Sequence, residues 1–110
     1  MVQAETVGAV CVIRVDAVRL DSPVGTVIRN TIASRLQPES KFVIDLAKVK
    51  LVDSGGLGSL VAALKTVNGQ QAKLVLSSMQ KSVKLMFELS RMDRQFALAE
   101  DLNAALATLA

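Results

Sequence analysis

The sequence predicts an α/β domain with a largely parallel or mixed sheet of four to five strands and about four helices. Three observations carry that expectation. Short β-branched runs alternate with stretches whose apolar residues recur at helical spacing. The run Phe42-Val43-Ile44-Asp45-Leu46 is almost continuously apolar, as in strands covered by helices. Helix-start signals fall between the two kinds of segment, with Asp21-Ser22-Pro23 the plainest of them. A chain of 110 residues suits one domain over residues 1–110 and one hydrophobic core.

The elements follow in order. Val2, Ala4 and Thr6 alternate as in an edge strand, and Val10–Val15 forms a stronger β-branched strand. After Asp21-Ser22-Pro23, the residues Val24, Val27, Ile28, Ile32 and Leu36 mark a first helix that ends by Pro38. Phe42–Leu46 reads as the central strand, and Lys48–Val52 as a short connection. Ser54 is then expected to cap a second helix bearing Leu57, Leu60, Val61, Leu64 and Val67, stopped by Asn68-Gly69. Lys73–Leu76 is a strand. Ser77-Ser78 is expected to begin a third helix carrying Val83, Met86, Phe87 and Leu89. Phe96-Ala97-Leu98 reads as a last strand, and Glu100-Asp101 as the acidic start of a terminal helix.

Composition excludes several chemistries. The chain has no histidine, so Ser-His-Asp and Cys-His arrangements cannot form, and zinc sites of His and Cys are ruled out on the same count. There is no phosphate-loop signature (Gly-x-x-x-x-Gly-Lys followed by Ser or Thr) and no Gly-x-Gly-x-x-Gly. Asp21, Asp45 and Asp53 are the candidate acids for a carboxylate pair, which spacing in the sequence does not bring together. The single Cys11 has no partner for an internal disulfide and reads as a small core residue. A net charge of +3 with no Trp, no Tyr and three Phe offers neither a basic stripe nor stacking platforms, so no direct nucleic-acid partner is expected. No apolar run approaches the ~20 residues of a membrane-spanning helix. Met1–Ala9 lacks the basic start and apolar centre of a signal peptide, so a cytoplasmic location without membrane insertion is expected.

The segment Asp53-Ser54-Gly55-Gly56-Leu57-Gly58 is the physical oddity. Each glycine inside a helix costs roughly 0.5–1 kcal/mol relative to alanine, yet three stand where the second helix must begin. One explanation is a sharp strand-to-helix turn with close helix–sheet packing. The other is a surface kept free of side chains so that another molecule can approach. Ser54 likewise has two compatible readings. Its hydroxyl caps the helix through the amide of Gly56 or Leu57, or it accepts a phosphoryl group held by free amides at the helix start. Asp21 reads as the cap of the first helix or as a partner contact. Asp53 reads as a loop acid near the helix dipole, or as a group that orients Ser54 or meets a partner's metal–nucleotide. Met79, Met86 and Met92 read as core filling or as an adaptable contact surface.

The stretch from Ile44-Asp45-Leu46 through Val52-Asp53-Ser54-Gly55-Gly56-Leu57-Gly58 resembles the signature of the STAS domain family, and in particular of anti-sigma factor antagonists. In those proteins an aliphatic strand ending in Asp-Leu leads through a short aliphatic loop to Asp-Ser-x-Gly-Leu-Gly. Arg19-Leu20-Asp21 resembles the family's x-Leu-Asp lead-in to the first helix, and Ser78–Met92 its third helix. The likeness spans nearly the whole chain as one STAS domain. Gly55 stands where many members carry Ser or Thr, Ala17-Val18 stand where a glycine is common, and this chain is basic where many antagonists are acidic.

The resemblance implies a phosphorylation-controlled switch protein with no catalysis, cofactor or metal of its own. Ser54 is then the phosphorylated residue, and Asp21, Ser22, Asp53, Gly55, Gly56, Leu57 and Gly58 form the partner-binding surface. The implied partners are an anti-sigma factor that is also a serine kinase, and a PP2C-type phosphatase that resets the switch. Two rivals remain. One is a STAS subunit of another assembly, such as a lipid-transport ABC system, working without phosphoryl transfer. The other is an enzyme with Ser54 as nucleophile, disfavoured by the missing histidine and the absence of Ser-x-x-Lys around Ser54.

Overall fold

The computed structural model describes residues 1–110. In chain order it holds β1 (Val2–Val7), β2 (Val10–Val15), β3 (Arg19–Leu20), α1 (Ser22–Arg35), β4 (Lys41–Asp45), β5 (Leu51–Val52), α2 (Ser54–Gly69), β6 (Lys73–Ser77), α3 (Lys81–Leu89), a 3-10 turn at Met92–Arg94, β7 (Ala97–Ala99) and α4 (Leu102–Leu109).

The main sheet has five strands in the order β1-β2-β4-β6-β7. β1 runs antiparallel to β2, joined by a two-residue hairpin in which Gly8 supplies a φ of +60°. The other pairings are parallel. Each crossover from β2 to β4, to β6 and to β7 advances in the same direction across the sheet. With crossovers of one hand, this puts α1, α2 and α3 on the same face.

The core confirms the arrangement. Ile13, Phe42, Ile44, Leu74 and Leu76 from one sheet face join Ile28 and Ile32 of α1, Leu60 and Val67 of α2, and Val83 and Phe87 of α3. The alternate residues Val10, Val12, Val43 and Val75 meet Ala105 and Leu109 of α4 on the opposite face. The period of two in the strands thus serves two layers of helix, which is why the central runs are apolar throughout. Cys11 is half-buried against the larger cluster, as are Met79, Met86 and Met92. No helix is long and apolar enough to cross a membrane.

Two expectations are corrected. Lys48–Val52 is not merely a connection, because Leu51-Val52 pairs in parallel with Arg19-Leu20 as a second, two-stranded sheet. Two-residue strands carry no periodicity to read in a sequence. The third helix begins at Lys81, not at Ser77-Ser78. Ser77 is instead the last residue of β6, paired with Asp45 and Ala99. Ser78 has a left-handed φ of 65° and gives its amide to the Ala99 carbonyl at 3.2 Å, so no helix can start there.

Candidate functional site

Ser54 stands at the first position of the 16-residue α2 and is exposed. It does not cap the helix. Asp53 does: its backbone is extended, and its Oδ1 accepts the amide hydrogen of Gly56 at 2.9 Å. The Asp53 carbonyl takes the Leu57 amide at 2.9 Å. The Gly56 and Leu57 amides, one of them the expected partner of the Ser54 hydroxyl, are therefore both used by Asp53. Which member of an Asp-Ser pair becomes the cap is decided by where the strand releases the chain, and β5 releases it one residue before Ser54.

The small sheet sets that point. Leu20 pairs with Val52, and the Leu20 carbonyl accepts the amide of Asp53 at 3.2 Å. Arg19, on the neighbouring register position, reaches across so that its Nη2 donates to Asp53 Oδ2 at 3.0 Å. The Asp53 carboxylate is thus held between a helix amide and a guanidinium. The hydrogen bond from Gly56 first, and that from Arg19 second, hold its pKa below the usual carboxylate value. No sequence signal singled out Arg19 as the partner of Asp53, since the two lie 34 positions apart and meet only through strand pairing.

The glycines separate into two roles. Gly56 is buried, and a β-carbon there would run into the backbone carbonyl of Leu20 and lie 2.6 Å from its Cδ2. Gly55 is exposed, and a β-carbon would sit 3.1 Å from Ser22 Cβ. Gly58 is exposed, and a β-carbon would meet nothing within 4 Å. The close-packing explanation of the glycine cluster therefore holds at Gly56 and not at Gly58. Gly56 serves close packing, whereas Gly58 leaves a bare patch on α2 that the fold does not demand. Leu57 is half-buried against the core.

Asp21 caps α1, its Oδ1 accepting the Val24 amide at 3.2 Å, and Ser22 opens that helix, exposed beside Gly55. The pairing of β3 with β5 thus carries the starts of α1 and α2 to the same end of the molecule. Asp45 is elsewhere engaged: its Oδ2 accepts from Arg14 Nη1 at 3.2 Å and its Oδ1 from the Ala47 amide at 3.0 Å. The clefts of the molecule, about 180 to 320 Å³ in volume, are lined by residues other than Asp53–Gly58. The serine and its glycines form a surface rather than a pocket.

A mixed sheet with three helices on one face, one on the other, and an exposed Asp-Ser-Gly-Gly helix start defines a small α/β domain whose candidate site faces outward. Residues 1–105 match the family model described as the STAS domain, and the chain belongs to that family. Its fold is similar to that of an anti-sigma-factor antagonist (STAS) domain protein from Planctomyces limnophilus, with a TM-score of 0.84 and 21% identity over 99% of this chain and 97% of that one. It is also similar to an anti-sigma factor antagonist from Mycobacterium paratuberculosis, with a TM-score of 0.84 and 21% identity over 99% and 92% of the two chains. The anti-sigma factor antagonist SpoIIAA, solved in its unphosphorylated form, matches with a TM-score of 0.70 and 15% identity over 98% and 96%. At these identities the likeness is one of fold.

Proposed function

We propose that this chain is an anti-sigma factor antagonist, acting as a non-catalytic partner switch in the cytoplasm. Its unphosphorylated form binds an anti-sigma factor that is also a serine kinase, which frees the sigma factor for transcription. The observation that carries this reading is an exposed Ser54 whose hydroxyl is not spent on capping, beside the exposed glycines Gly55 and Gly58. Asp21, Ser22, Asp53, Leu57 and these glycines supply the contact surface, while Gly56 shapes it from within.

In the proposed cycle the Ser54 Oγ forms a bond to the γ-phosphorus of ATP held by the kinase. The bond from that phosphorus to the bridging oxygen breaks, ADP leaves, and the hydroxyl proton passes to a base of the kinase. The phosphate brings about −1.5 to −2 charges at pH 7 into a fitted contact. One polar group left unpaired there costs roughly 1–3 kcal/mol, about ten- to hundredfold in affinity. A PP2C-type phosphatase restores the binding form.

The test uses the cognate kinase with ATP, peptide mapping and calorimetric titration. One phosphate is expected on Ser54, absent in Ser54→Ala. Ser54→Ala should bind the kinase and resist release, and Ser54→Asp should fold and bind poorly. Phosphate on Ser22, Ser59 or Ser78 with Ser54 untouched, or tight binding by Ser54→Asp, would overturn the reading.

A further inference from the structure

We propose that Arg19 is the phosphate-holding residue of this switch: its guanidinium, docked on Asp53 before modification, forks between Asp53 and a phosphate on Ser54 afterwards. The proposal rests on the reading of Ser54 as the phosphoacceptor and adds what receives the charge.

The argument begins with what the helix start has left to offer. A dianion at a helix N-terminus is ordinarily met by free amides. Here Asp53 has taken the Gly56 amide with its side chain and the Leu57 amide with its carbonyl. Asp53 also places a carboxylate one residue from the new phosphate. The added charge therefore meets an anion, and two of the amides of the first turn are already engaged. A cation within the fold adds to what the helix start supplies.

Arg19 is the cation already fixed at that place. Its backbone is held in β3 opposite Leu51, two residues before Asp53, and its Nη2 lies 3.0 Å from Asp53 Oδ2. The side chain is 57% exposed, so it has room to turn without opening the core. A guanidinium carries five N–H donors in a planar fork, and Asp53 engages it through one nitrogen. The remaining donors suit two phosphate oxygens, a pairing that favours Arg over Lys. The other cations on nearby loops are placed less well. Lys48 is paired with Asp16 at 3.2 Å, and Lys50, unlike Arg19, makes no ion pair with Asp53.

The test is a phosphorus NMR pH titration of the full chain with phosphoserine incorporated at position 54 during synthesis, so no kinase is needed. The Asp53 carboxylate raises the phosphate's second pKa in every variant that keeps it, which isolates the effect of Arg19 in the comparison. A bound guanidinium favours the dianion. The wild-type value should therefore lie about half a unit or more below that of Arg19→Gln, with Arg19→Lys between the two and Lys50→Gln matching wild type. In the wild-type phosphoprotein, the Arg19 side-chain nitrogen resonances should shift with the same midpoint as the phosphorus signal, a readout that needs no variant. Equal titrations of wild type and Arg19→Gln, a larger change in Lys50→Gln, or Arg19 resonances that ignore the phosphate would overturn the proposal. Failure of any kinase to modify Ser54 would instead overturn the underlying reading and leave this titration standing.

Discussion

The α-carbon of Gly56 is packed so closely on the carbonyl of Leu20 that no β-carbon fits between them. That carbonyl also accepts the Asp53 amide. One backbone group in β3 thus fixes both where α2 begins and how near its first turn approaches. Gly56→Ala is expected to force α2 away from β3 and destabilise the domain by about 1–3 kcal/mol, measured by chemical denaturation.

Gly58 has the opposite expectation. Nothing lies within 4 Å of a β-carbon there, and its backbone is helical. Gly58→Ala should stabilise the isolated domain by about 0.5–1 kcal/mol. The same change, and more strongly Gly58→Leu, should weaken kinase binding in a calorimetric titration. A stabilised variant with unchanged affinity would remove Gly58 from the partner surface.

Ser54 stands outside the cap, so its substitution should cost the fold little. Ser54→Ala is expected to stay within about 0.5 kcal/mol of wild type, as exposed positions do. Ser54→Asp should stay within about 1 kcal/mol, because the helix dipole offsets repulsion from Asp53. Denaturant midpoints of both variants check this.

Asp53 gives the pH dependence a sign. Its carboxyl is held below the ordinary value by the hydrogen bond from Gly56 and then by Arg19. The resulting stabilisation is complete above the unfolded pKa of about 3.9 and is lost as pH falls through the lower folded value. Asp53→Asn keeps a capping side chain but does not titrate. The stability gap between wild type and Asp53→Asn should therefore be constant above about pH 5 and shrink below about pH 4. A gap independent of pH would show that Asp53 is not tuned by these bonds.

Cys11 is half-buried, and burial pushes its thiol pKa up while Arg35 pulls it part of the way back. The thiolate is the reactive form. Labelling by a disulfide reagent at pH 8 should accordingly be slower than for a free cysteine and should accelerate on unfolding. Cys11→Ala should still give a folded domain.

The sequence by itself determined the order along the chain of the main-sheet strands and the four helices, and the mixed α/β architecture. Runs such as Phe42–Leu46 and the helical spacing of Val24, Ile28 and Ile32 record burial one residue at a time, and local burial is what periodicity reports. The resemblance at Asp53–Gly58 picked out the candidate site from sequence alone because its residues are contiguous. Only the tertiary structure decided that Asp53 rather than Ser54 caps α2, that Gly56 packs while Gly58 is bare, and that Arg19 meets Asp53. Those facts depend on the pairing of Arg19-Leu20 with Leu51-Val52, two strands too short to leave a pattern. Contacts between residues more than 30 positions apart exist only once the chain has closed on itself.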